Sequence, residues 1–259
     1  MFTSTILARP AWPLGAADGP PTTRIRPPMW DHGREMADTP TTEITRSTLF
    51  GDQLADLLRE RIIKGAIPSG THLVEDGVGA EYGVSRVPVR DALKQLQVEG
   101  FVVPRRKGMF AVGMMPDDVR ELYAIRGALE GLALRSSIAR PDTDWDALDR
   151  IVDDLAVTAS RERRDEFSTV DLRFHSKLYE LSGNRRLQVL WSRYEPTFRT
   201  LLGLTTREDA DLAVVSHAHR EIVALARRGD EEAAAAMLAD HIDHACDLML
   251  RSLSSVLPA

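Results

Sequence analysis

GVSRVPVRDALKQLQVEGFVVPRRKGMFAV, residues 83–112, is the stretch whose reading decides the fold. Gly83 supplies a turn, Ser85 is a good helix N-cap, and Pro88 still falls in the first turn, where proline is tolerated. In the helix that follows, Arg86, Arg90 and Lys94 stand at i, i+4 and i+8 and form one basic stripe. Val89, Leu93 and Leu96 occupy the opposite face and are expected to pack inward. The helix is predicted to run to about Glu99 and to stop at Gly100. Two β-rich runs, 101–103 and 109–112, then flank Pro-Arg-Arg-Lys-Gly, which reads as a hairpin with Arg105, Arg106 and Lys107 at its tip.

Upstream, Phe50, Leu54, Leu57, Leu58 and Ile62 recur at helical spacing, with Gly65 as the stop. A Pro-Ser-Gly turn, a short extended His-Leu-Val and a short helix over 76–82 lead into Gly83. Helix, short helix, turn, second helix and basic hairpin is the order of a winged helix-turn-helix. One face of its second helix must bury while the other enters the major groove, where arginine hydrogen-bonds guanine in bidentate fashion or holds phosphate.

The charge balance fits a local rather than a general DNA-binding surface. The 259 residues carry a formal charge of −6, yet residues 1–46, 47–115 and 116–259 balance at 0, +1 and −7. Such a chain is no indiscriminate polyanion binder; contact with nucleic acid falls to a small positive face on the middle segment. The single cysteine, Cys246, excludes an intramolecular disulfide and a multi-cysteine zinc site. No run of 18 apolar residues exists, and the stretch near Met1 is broken by Arg9, Pro10 and Pro13. The expectation is a cytosolic protein, with no membrane partner.

Seven of the 14 prolines lie within the first 40 residues, so residues 1–45 read as a disordered tail. Met29 and Met36, just before the structured part, stand as alternative starts of translation. The winged segment is assigned to 46–115. Beyond Pro116 the pattern is helical throughout, with six helices near 117–139, 144–160, 164–182, 185–203, 207–228 and 230–256, an all-α bundle over 116–259. The fold class is mostly α.

Four positions in this bundle carry chemistry. Asp171 and His175 share one helical face in DLRFHSKLY. His219 lies among Val215, Ile222 and Val223, and His241 lies with Met237, Leu238 and Ala245, each on an apolar side. His217 points elsewhere, and His244 shares the inner face only in part. A lone inward histidine is more often a hydrogen-bonded core residue than a ligand. Three on three helices, joined by an inward aspartate, are costly to bury unless a cation compensates them. Three imidazoles and one carboxylate suit zinc, nickel or another divalent transition metal. Arg126 has two readings, an intrahelical pair with Glu130 or a clamp on an effector carboxylate beside the metal. Asn184 is read first as a helix cap and second as an effector contact.

Residues 48–113 closely resemble the winged-helix domain of GntR-type bacterial transcription regulators. The resemblance implies that Arg86 and Arg90 are the main operator contacts, assisted by the wing around Gly108. It carries one departure: many relatives have arginine at the start of the short second helix, where this chain has Asp76, whose carboxylate would repel phosphate. Residues 117–256, including SGNRRL at 182–187 and EIVALARRGD at 221–230, look like the FCD effector domain of the FadR subfamily. In that domain, the resemblance implies, Asp171, His175, His219 and His241 hold the metal. Six helices rather than seven favour the VanR-like branch and speak against a long acyl-CoA effector.

The reading is therefore a metabolite-responsive regulator and repressor. It is expected to be a homodimer on a palindromic double-stranded operator, with a small carboxylate as effector, associating with the nucleoid when bound. Its rivals are a metal-dependent helical-bundle enzyme and a regulator with a purely structural metal. No further carboxylate or base is tied to the histidine cluster, which speaks against the enzyme.

Overall fold

A computed structural model describes residues 42–209 and 211–256. Residues 1–41, most of the expected proline-rich tail, lie outside the described residues. The first helix, α1 (Thr42–Ile63), begins ahead of its expected start near Phe50 and takes in the last four residues assigned to the tail. The winged segment continues through β1 (His72–Leu73), α2 (Glu75–Tyr82), α3 (Arg86–Val98), β2 (Val102–Arg105) and β3 (Gly108–Ala111). The three strands form one antiparallel sheet in the order β1-β3-β2, so the short extended stretch at His72 completes the wing.

Local chemistry accounts for these boundaries. Gly83 ends α2 with φ +68°, a left-handed conformation that costs glycine little. Ser85 stands at the N-cap of α3 as expected, but its hydroxyl makes no capping bond. In α3 Val89, Leu93 and Leu96 are all buried, and α3 packs along α1. On α1, Leu54, Leu58 and Ile62 form the inner face, while Phe50 and Leu57 are about half exposed.

The bundle holds α4 (Pro116–Ile138), α5 (Trp145–Ser160), α6 (Arg164–Leu181), α7 (Arg185–Glu208), α8 (Leu212–Arg227) and α9 (Glu231–Val256). Pro116 starts α4, and the Asp118 carboxylate accepts the Met115 N–H at 2.7 Å. Asp144 caps α5, Asn184 caps α7 and Asp211 caps α8 through side-chain oxygens. The expected break at Gly203 does not occur. α7 runs on to Glu208, since an interior glycine costs at most about 1 kcal/mol, and Asp209 stands at its C-cap. In the bundle α4 lies against α6 and α9, α5 against α6 and α8, and α8 against α9. α7 packs on α6 and also touches α1, joining the bundle to the winged segment. Among the described residues, no helix is long and apolar enough to cross a membrane.

Candidate metal centre and nucleic-acid interface

The four residues singled out in the bundle meet in its interior. Asp171 and His175 on α6, His219 on α8 and His241 on α9 are all buried, and one potential ligand atom from each lies within 4.8 Å of the others. The rings are tightly set: His219 lies 4.4 Å from His241 and 5.4 Å from His175, centroid to centroid. Phe174 stands edge-on to both His175 and His219 and walls the group on one side. His217 and His244 are exposed and take no part.

Hydrogen bonding fixes which nitrogens face the cluster. His219 Nδ1 lies 2.7 Å from the Val215 carbonyl, which can only accept, so Nδ1 carries the proton. In the neutral ring, Nε2 then presents a lone pair, and it lies 2.9 Å from Asp171 Oδ1. His175 Nδ1 lies 2.7 Å from Glu130 Oε2, which likewise directs an Nε2 lone pair inward, 3.8 Å from Asp171 Oδ2. Asp171 Oδ1, His175 Nε2 and His219 Nε2 are buried without a hydrogen-bond partner. A carboxylate oxygen facing imidazole lone pairs in a dry interior is repulsive unless a proton or cation lies between them. The donor set of three imidazole nitrogens and one carboxylate fits zinc or a similar divalent ion.

The charges around this centre follow from its burial. Burial pushes the Asp171 carboxyl up, but the neighbouring imidazoles in their protonated form, His219 foremost, outweigh it and hold the carboxyl well below its ordinary range. Burial, reinforced by the other two rings, pushes His241 well below its usual value. His175 moves down through burial and then the Arg126 charge, only partly offset by Glu130.

Arg126 lies beside this centre on α4. The pair with Glu130, the first of its two readings, forms at 2.8 Å with both side chains fully buried. Glu130 therefore bridges Arg126 and His175, a role that the i, i+4 spacing alone did not reveal. The Arg126 guanidinium lies 5.1 Å from the Phe198 ring and 5.7 Å from the Tyr123 ring. Its Nη1 and Nη2 are buried with no hydrogen-bond partner, as are the hydroxyls of Tyr123 and Tyr179. Asn184 is different. Its side-chain oxygen accepts the N–H groups of Arg186 and Leu187 and caps α7, the first of its two readings.

On the winged segment, Arg86, Arg90 and Lys94 lie together on the exposed face of α3. Arg86 forms a two-point ion pair with Asp76, at 2.5 and 2.8 Å, and Arg90 contacts Glu75 at 2.8 Å. The tip of the hairpin is only Arg106 and Lys107, both exposed; Arg105 and Gly108 close the strands as partners. Arg105 folds back over the Phe110 ring at 5.2 Å, and His72 stacks on the same ring at 4.5 Å. Gly108 has φ +132°, and a Cβ there would meet His72 Nε2 at 2.6 Å, so any other residue at this turn is strained and must displace the His72 ring.

Comparison with known proteins gives these two halves a family. The pattern of bacterial regulatory proteins of the gntR family matches residues 50–112, and the FCD domain pattern matches residues 121–244. The chain belongs to the GntR family. The chain is similar to the gluconate operon transcriptional repressor of Bacillus subtilis, 32% identical over 159 residues. That match covers 61% of this chain and 65% of the Bacillus protein, so the chain spans slightly under two thirds of that relative's length. An HTH-type transcriptional regulator of Agrobacterium vitis is 32% identical over 127 residues, which cover 47% of this chain and 74% of the relative. In fold, the GntR chain resembles a GntR transcriptional regulator of Rhodococcus sp. RHA1. That structure has a TM-score of 0.57 at 24% identity, covering 80% of this chain and 98% of the other. The relatives are transcriptional regulators rather than enzymes, in line with the sequence reading.

Proposed function

We propose that this GntR-family protein is a DNA-binding transcriptional repressor whose grip on its operator is set by a divalent metal and a small carboxylate in the bundle. The carrying observation is a set of buried polar atoms: Asp171 Oδ1, His175 Nε2 and His219 Nε2, with no hydrogen-bond donor between them in the neutral tautomers, and the two unpartnered terminal nitrogens of Arg126 on α4. The first three, with His241, would hold the metal, zinc first and nickel second. Arg126 would clamp the effector's carboxylate, which two parallel N–H donors match in shape and charge.

DNA would be read by α3, with Arg86 and Arg90 in the major groove and Lys94, Arg106 and Lys107 on phosphates. Arg105 and Gly108 would shape the wing that carries the tip. The protein would act in the cytoplasm as a homodimer, placing two such helices on a palindromic site. Its similarity to a repressor of a gluconate operon supports a repressor and an acidic metabolite.

Metal analysis of the purified chain tests the ligand set. The wild type is expected to retain about one divalent ion per chain under the four-ligand scheme, and His219→Ala and His241→Ala to lose it. Equal metal content in all three would exclude the site. A thermal-shift series of small carboxylates, with and without chelator, tests the effector, since a ligand that binds the native fold raises Tm. A stabilising carboxylate should lose its effect in Arg126→Met.

A further inference from the structure

The basic face of α3 is not a bare row of cations. Asp76 and Glu75, in the first turn of α2, stand against Arg86 and Arg90. The contact between Asp76 and Arg86 has a defined geometry: Nε donates to Oδ1 and Nη2 to Oδ2. Asp76 thus occupies the side edge of the guanidinium. Both hydrogens of Nη1 and one of Nη2 remain, and one from each nitrogen forms the end-on fork that guanine O6 and N7 accept as a pair. Arg86 and Asp76 are 63% and 62% exposed, so duplex DNA can reach the fork while the side edge stays held.

We propose that Asp76 is a specificity-determining residue, which holds Arg86 in the orientation that reads guanine and penalises binding to any other sequence. The proposal rests on the reading of α3 as the DNA-contacting helix. Two effects act together. A guanidinium already fixed along its side edge loses less freedom when its end meets a base pair. The carboxylate, meanwhile, repels the phosphate backbone, and backbone attraction supplies essentially all of non-specific affinity. Discrimination between sites is a difference of two affinities, and a built-in repulsion against the wrong one widens it. Glu75 does the same for Arg90 more weakly, through one contact to Nε.

The test uses the full chain and a pool of randomised duplexes, with selection run in parallel on wild type, Asp76→Asn and Arg86→Ala. Wild type is expected to enrich a two-fold symmetric site with a fixed guanine in each half, and Arg86→Ala to lose that guanine. Asp76→Asn should relax the same position only. Its ratio of affinity for the wild-type site over a scrambled duplex should fall about tenfold, a typical share of one bidentate contact. Its binding to the scrambled duplex should tighten and depend more steeply on salt. Thermal unfolding confirms that the exposed substitution leaves the fold intact, and Asp76→Ala should behave alike. An Asp76→Asn chain that keeps the guanine preference, with a ratio within about twofold of wild type, overturns the proposal. If wild type enriches no sequence, or Arg86→Ala leaves the enriched site unchanged, then the assignment of α3 fails and the role of Asp76 falls with it.

Discussion

Glu130 Oε2 lies 2.7 Å from Nδ1 of His175, with both side chains wholly buried. The carboxylate can only accept, so it fixes the tautomer that turns His175 Nε2 toward Asp171 and His219. Arg126, 2.8 Å from the other oxygen, keeps Glu130 ionised. Ligand histidines are commonly oriented in this way, and loss of such a partner typically costs 10–100-fold in metal affinity.

Glu130→Gln keeps the volume but offers an amide N–H to His175 Nδ1, which favours the proton on Nε2 and blocks the ligand position. A competition titration with a zinc chelator is expected to show affinity reduced about 10–100-fold. Unchanged affinity would remove Glu130 from the centre.

The centre should also make the protein acid-labile. Burial and neighbouring charge place His175 and His241 below their unfolded value of 6.5. For Glu130, burial pushes upward, but His175 and Arg126 outweigh it and bring the carboxyl from 4.5 down to about 2. In each case the folded state binds fewer protons than the unfolded state between the two values, so stability falls as pH falls. The histidine contribution is present above pH 6.5 and is lost below it, and the Glu130 contribution goes between 4.5 and about 2. Tm of the metal-free protein should therefore drop from pH 7 to pH 5, and drop further when metal is bound, because protons and metal compete for the same nitrogens. A flat Tm over this range would contradict these assignments.

The junction between winged segment and bundle carries its own buried charges. Arg59 on α1 is fully buried; burial opposes its charge, but Glu99 and Asp56 outweigh this and its pKa rises. Nε and Nη2 donate to Glu99, the C-cap of α3, at 2.5 and 2.8 Å, and Thr197 on α7 adds a longer contact to the same carboxylate at 3.4 Å. Thr197 adjoins Phe198, the ring that faces Arg126. Removing one member of a buried pair strands its partner, at a cost of about 3–5 kcal/mol. Glu99→Ala is expected to destabilise the protein by that order in urea unfolding, and Arg59→Met with Glu99→Leu by clearly less. Equal losses would show that the pair is not the source.

Much of this was legible in the sequence, because helical periodicity directly reports which side of a helix is buried. Asp171, His175, His219 and His241 each sit on an apolar helical face, and their meeting follows once those faces turn inward. Val89, Leu93 and Leu96 were readable in the same way. Contacts between distant segments left no such trace. Glu130 meets His175 across 45 residues, and Glu99 meets Arg59 across 40, with no periodic signal linking either pair. Asp76 stood out as a departure from related sequences, but its grip on Arg86 depends on how α2 crosses α3. The missed continuation of α7 past Gly203 reflects a glycine read as punctuation, where the helix instead runs on to its C-cap at Asp209.

The central claim is that the bundle's polar centre controls DNA affinity, and titration of a selected operator duplex tests it most directly. Affinity would be measured with chelator, with zinc, and with zinc plus the most stabilising carboxylate from the thermal-shift series. An allosteric coupling of ordinary size predicts a change of about 5–150-fold between the last two conditions, abolished in Arg126→Met and in His219→Ala. Operator affinity that stays the same under all three conditions, in a wild-type chain that binds both metal and carboxylate, would contradict it.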